Sequence, residues 1–266
     1  MRNISDIFIV FSIVAFFLSA PNAFCAGEVK DYQIQSKILS DAGLAGKRAL
    51  SVYLPEDYNT SKSSYPVLYL IHGTFGNNLT FFGGGYDGRM SDANVSVILE
   101  RRIKAGKIKP LLVVCPNVSG IVHYDEYLLR DVIPFVDSTF RTIPNRQSRA
   151  IAGHSEGAFD SLYLALSHPE VFSIAGGLSS YRLWSLKIQL GEFLKAQVQE
   201  LQPTRFWLYA GTNDDYVIPE ASRDFVKTLR ENQLPAVYSE DEGDHESNVA
   251  QRLGEFIEYL VDFLKW

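Results

Sequence analysis

Cysteine is almost absent from this chain: 266 residues carry only Cys25 and Cys115, far apart in sequence. That scarcity excludes a disulfide framework, and the spacing offers no cysteine-based metal site. Basic charge is also short. Lys and Arg total 25 against 31 Asp and Glu, for a net charge of −6, and no basic cluster occurs, which argues against a nucleic-acid partner. Long apolar runs are missing except for Ile7–Leu18 (IFIVFSIVAFFL). This run is shorter than the roughly 20 residues a membrane-spanning helix requires. Arg2 precedes it, and small residues follow at Ser19, Ala20, Ala23, Cys25, Ala26 and Gly27. That order is the pattern of a signal peptide. The expectation is a signal peptide over residues 1–26, cut near Cys25 or Ala26, and a secreted or periplasmic product with no stable membrane span. An N-terminal membrane anchor is the rival reading. Internal repeats, low-complexity tracts and long linkers are absent too.

What remains is an ordinary globular composition, 46% hydrophobic and 13% aromatic, sufficient for one large core. Residues 27–266 are read as one domain. Strand-like apolar runs occur at 34–39, 49–54, 67–71, 111–115, 149–152, 173–176, 206–210 and 236–239. Helical spacing of apolar residues fills 91–105, 125–140, 155–167, 220–232 and 246–264, with a weaker pattern near 185–199. Pro134 lies inside the second of these and predicts a kink. Two leading strands followed by β-α alternation predict an α/β fold: a mostly parallel sheet of about eight strands with helices on both faces. The leading pair is expected as an antiparallel hairpin at one edge, turning near Gly43 and Gly46. In such sheets ligands gather at the carboxyl ends of the strands.

One stretch at such a strand end stands out. In IAGHSEGAF, Gly153 and Gly157 flank Ser155 at two residues' distance. A G-x-S-x-G match arises by chance with a probability on the order of 0.1, so context decides. Here a buried strand precedes it and an apolar helix follows, the setting of a sharply turned nucleophile. A helix cap alone would not need both glycines. The nucleophile requires a base. Of His72, His123, His154, His168 and His245, only His245 lies in a polar loop, EGDHES, between the last strand and the last helix. His154 is read as a packing residue and His168 as structural. His72 shapes the loop after its strand, and His123 either lines a cleft or caps a helix. The base requires an orienting acid. YAGTNDDYV, after the strand at 206–210, offers Asp214 and Asp215, both of which remain candidates. The acids at 240–244 read as solvated charge. Two backbone donors are needed for an oxyanion: Glu156 N–H, just after the nucleophile, and Thr74 N–H in LIHGTFGNN. The glycines and aromatics from Phe75 to Tyr86 suggest a pocket wall. No metal or cofactor is implied.

PVLYLIHGTFGN, IAGHSEGAFDSLYLALSHPEVFSIAGGLS, WLYAGTNDDYV and EGDHESNVAQRLGEFIEYL occur in that order over nearly all of residues 27–266. On these pieces the chain resembles the esterase D-like family of α/β-hydrolases. That family includes feruloyl and acetyl-xylan esterases, siderophore esterases, S-formylglutathione hydrolases and mycolyltransferases. The resemblance implies an α/β-hydrolase fold, Ser155 as nucleophile, Asp214 as acid, His245 as base, and an oxyanion hole from Thr74 and Glu156. It also implies a serine carboxylic-ester hydrolase acting through an acyl-enzyme on a small-molecule or carbohydrate ester, such as a feruloyl, acetyl-sugar or siderophore ester. An acyltransferase with the same residues and an inactive binding scaffold are the alternatives. Glu156, Gly157 and Ala158 stand where the family often has Met-Gly-Gly.

Overall fold

The computed structural model describes residues 27–86, 90–121, 124–197, 204–215 and 217–266. The expected leader at 1–26, Cys25 and His123 lie outside them. In chain order the elements are β1 (Glu28–Gln35), α1 (Lys37–Asp41), β2 (Lys47–Leu54), β3 (Val67–Ile71), α2 (Val95–Lys104) and β4 (Leu112–Pro116). Then come α3 (Tyr124–Tyr127), a π-helical turn (Leu128–Val132), α4 (Ile133–Thr139), β5 (Arg149–His154), α5 (Glu156–Ser167) and β6 (Ile174–Leu178). The chain ends with α6 (Leu183–Gln197), β7 (Arg205–Gly211), α7 (Ile218–Glu231), β8 (Ala236–Asp241) and α8 (Val249–Val261).

The strands form one sheet in the order β1-β2-β4-β3-β5-β6-β7-β8. β1 runs antiparallel to β2 and β2 antiparallel to β4, while every other neighbour is parallel. This is an α/β-hydrolase fold. Successive strand residues face opposite ways, so the sheet divides the apolar interior in two. Tyr69 and Ile71 of β3 pack with Leu162 of α5, Leu186 of α6 and Phe225 of α7. Leu68 and Leu70 pack on the other side with Leu99 of α2 and Phe256 of α8. Central strands buried on both faces explain why β3 and β4 read as unbroken apolar runs.

The first strand departs from the sequence reading. It lies at Glu28–Gln35, where Tyr32 and Ile34 turn inward between exposed Asp31, Gln33 and Gln35, and not at 34–39. Residues from Lys37 are helical instead, because Ser36 Oγ accepts the Leu39 N–H at 3.0 Å and caps a short helix. The antiparallel edge pair is therefore joined through α1, not a simple turn. Pro134 acts where expected. Ile133 N–H bonds five residues back to Leu128 O, a π-turn that lets the chain enter α4 with the proline in its first turn. Among the described residues no helix is long and apolar enough to cross a membrane.

Candidate active site

The turn between β5 and α5 is built by its glycines. A Cβ on Gly157 would stand 2.3 Å from Ile71 O and 2.5 Å from His72 O, and one on Gly153 would stand 2.3 Å from Gly157 O. Neither position has room for a side chain, so α5 starts directly against β3. Ser155 sits at the apex with φ 58° and ψ −120°, a left-handed conformation that costs a non-glycine residue about 1–3 kcal/mol. Hydrogen bonds fix it there: Ser155 N–H donates to Leu178 O at 2.9 Å, and Ser155 O accepts from Ala158 and Phe159 N–H at 3.1 and 3.2 Å.

The loops after β7 and β8 bring the histidine and an aspartate to that serine. Thr212 N–H bonds Asp241 O at 2.8 Å and Asn213 N–H bonds Gly243 O at 2.9 Å, while Gly211 lies so close to Gly243 that a Cβ would meet its carbonyl at 2.3 Å. Backbone bonds thus tie the two loops together. His245 Nε2 lies 2.9 Å from Ser155 Oγ, and His245 Nδ1 lies 2.9 Å from Asp214 Oδ1. The Asp214 side chain is fully buried, while His245 keeps 19% exposure at the cleft. With Nδ1–H donating to the carboxylate, Nε2 is left as the acceptor for the serine hydroxyl.

Asp215, the other candidate acid, is exposed and lines the same cleft as Ser155. Two acids of the histidine loop are structural rather than only solvated. Asp244 accepts Glu246 N–H, Ser247 N–H and Ser247 O–H at 3.2, 3.0 and 2.6 Å, and Asp241 holds Tyr209 O–H at 2.7 Å and pairs with Arg252.

His154 does more than fill space. Its Nε2–H donates to the backbone carbonyl of His245 at 2.8 Å, and the two rings lie 4.8 Å apart between centroids. Burial pushes its pKa down to about 4, so it stays neutral. His72 is likewise buried and depressed by burial; its Nδ1–H donates to Gly73 O at 2.7 Å and its Nε2 accepts Val118 N–H at 3.0 Å. It shapes the loop carrying Thr74, as its position after β3 suggests. His168 faces Glu170 at 3.3 Å, remote from the serine in its contacts.

Gly73 brings that loop close: a Cβ there would stand 3.1 Å from the Ser155 Cβ. Thr74 and Glu156 line the cleft with Ser155 and His245, which measures about 410 Å³. The Glu156 side chain turns aside to pair with Arg182, leaving its backbone N–H at the serine. The following loop supplies both wall and core. Phe81 is buried in the core, while Tyr86, buried but for an edge, lines the cleft with exposed Phe75 and accepts Gly73 N–H on its Oη at 2.5 Å. A second cleft of about 870 Å³ adjoins the first, sharing Gly73, Thr74, Glu156 and Tyr181. Tyr181, whose ring meets His245 edge-on at 5.9 Å, was not singled out from sequence. Its place in the loop after β6, another strand carboxyl end, was the available signal. Among the described residues no group of His, Cys, Asp and Glu is placed to hold a metal ion.

A family model described as "putative esterase" matches residues 42–264. Over 139 residues the chain is 30% identical to Endo-1,4-beta-xylanase Y of Acetivibrio thermocellus, a match covering 47% of this chain and 12% of that protein. Over 143 residues it is 32% identical to Esterase Rv1288 of Mycobacterium tuberculosis, covering 49% of this chain and 28% of that protein. The chain thus spans well under a third of the length of either relative. Among solved structures, a ferulic acid esterase superposes with a TM-score of 0.75 at 20% identity, over 90% of this chain and 99% of that one. An S-formylglutathione hydrolase from Staphylococcus aureus gives 0.70 at 20% identity, over 88% and 99%. Likeness at that identity speaks for the fold.

Proposed function

The chain belongs to the putative esterase family of α/β-hydrolases, and from that membership we propose that it is a serine carboxylic-ester hydrolase using Ser155, His245 and Asp214. The observation that carries this reading is the continuous hydrogen-bonded line from Ser155 Oγ through His245 to buried Asp214, set on a strained turn. Ser155 Oγ attacks the ester carbonyl while His245 Nε2 takes its proton. Asp214 holds the imidazole in the needed tautomer and balances the charge it gains. Thr74 and Glu156 N–H receive the oxyanion, each donor contributing about 3 kcal/mol to the transition state. His245 then protonates the departing alcohol, and a water attacking the acyl-serine releases the acid and restores the enzyme.

The test is labelling with a fluorophosphonate probe, followed by peptide mass spectrometry, with acid release from an aryl ester measured in parallel. A single adduct on Ser155, absent from Ser155→Ala, together with acid release is the expected result. Label on a different serine removes the nucleophile, and an unlabelled, inactive protein makes the chain a binding scaffold. Acyl transfer to an added alcohol in place of acid release makes it a transferase.

A further inference from the structure

The larger cleft holds two carboxylates for which the proposed chemistry has no use. Asp160 stands on α5, five residues past Ser155, and Asp125 stands on α3; both line this cleft. Neither makes a hydrogen bond or ion pair among the described residues. The third acid here, Glu156, is already matched by Arg182, whose guanidinium also lies 4.5 Å from the centroid of the Phe159 ring. The walls are aromatic: Tyr124, Phe159, Tyr163 and Tyr181. Tyr124 contributes its ring to the wall; its hydroxyl is sealed from the cleft.

We infer that this cleft recognises an ammonium group carried by the substrate of Ser155, with Asp160 as the principal specificity residue. This rests on the esterase reading above. Carboxylates supply the counter-charge and accept the ammonium N–H groups, and ring faces attract a cation. A metal ion is the wrong cation, since no cluster of ligands converges to hold one among the described residues. A neutral apolar group would only add to the desolvation that already burdens Asp160. Burial, and next the charge of Glu156, lift the Asp160 carboxyl to about 7, with Asp125 adding to the effect and Arg182 opposing it. A bound cation would relieve that cost directly. Five residues of helix place Asp160 about 7.5 Å along the axis from Ser155. The ammonium therefore sits five or six bonds from the ester carbonyl.

Matched esters test this on both sides of the bond: aryl 6-ammoniohexanoate against aryl heptanoate, and 4-ammoniobutyl acetate against pentyl acetate. Within each pair only the terminal group differs. The wild type should favour the cationic member of at least one pair by about tenfold in kcat/KM. Asp160→Asn should bring that ratio close to one. Equal rates within both pairs, or a ratio unchanged in Asp160→Asn, overturn the inference while leaving the esterase reading intact. If no ester is cleaved, the esterase reading fails. Calorimetric binding of pentylammonium to the wild type, weakened about tenfold in Asp160→Asn, then decides the cation site by itself; equal binding, or none, removes it.

Discussion

Asp214 and Asp215 are sequence neighbours with identical side chains in opposite surroundings. Asp214 is fully buried against His245 Nδ1, whereas Asp215 is exposed at the cleft mouth. An amide at 214 would present an N–H to the ring and favour the wrong tautomer. Asp214→Asn should therefore lower kcat by about 10³–10⁴, and Asp215→Asn by no more than a few-fold. Steady-state kinetics on one aryl ester, with circular dichroism to confirm folding, measures both; the reverse ranking transfers the acid to Asp215. At this scale the sequence was legible wherever strand order sufficed. Ser155, His245 and Thr74 each follow a strand, so the rule about strand carboxyl ends reaches them. His154, Asp160 and Tyr124 were not legible as site residues. Their surroundings come from segments distant in the chain, and nothing in GHS or AFDS announces the carbonyl or cleft each one meets.

Between β5 and α5, the two glycines of the turn do mechanical work that can be measured. A methyl on Gly157 would enter the backbone of β3, where no side chain can yield. Gly157→Ala should cost at least ~3 kcal/mol or abolish folding. Gly191, inside α6, is the internal control: a Cβ there meets nothing within 4 Å, so Gly191→Ala should stabilise by about 0.5–1 kcal/mol. Urea denaturation of the two variants checks both signs, and equal effects would mean that the close approach of α5 to β3 is not what the glycine serves. Elements with a single strong signal were readable in advance, as in β3, β4 and α5. The errors fell where two signals competed. At 34–39 an apolar run suggested a strand, but the Ser36 cap and the amphipathic alternation just upstream placed the strand at 28–35 and a helix after it. At 125–140 the apolar spacing was right, and the proline split the helix through a π-turn.

Taken whole, the molecule keeps a neutral imidazole in its interior. His154 takes up a proton in the fold only near pH 4, against 6.5 for an unperturbed imidazole. Between these values the unfolded chain binds more protons than the folded one. Stability should therefore be full above pH 6.5 and decline as pH falls toward 4, by about 3 kcal/mol in total from this residue. His154→Gln, which keeps a donor for the His245 carbonyl, should show a shallower decline in urea midpoint from pH 7.5 to 4.5; an identical decline would assign it to other groups. The three residues of the proposed triad come from loops after β5, β7 and β8, and Ser155 and His245 are 90 positions apart. β8 is the outermost strand on that side of the sheet, paired only with β7 and partly exposed along its length. Ser155 rests on the sheet's centre while its base rests on this margin. A probe that reacts only with the activated serine is therefore a gauge of whether the margin is closed, and can report fraying there while the rest of the molecule stays intact.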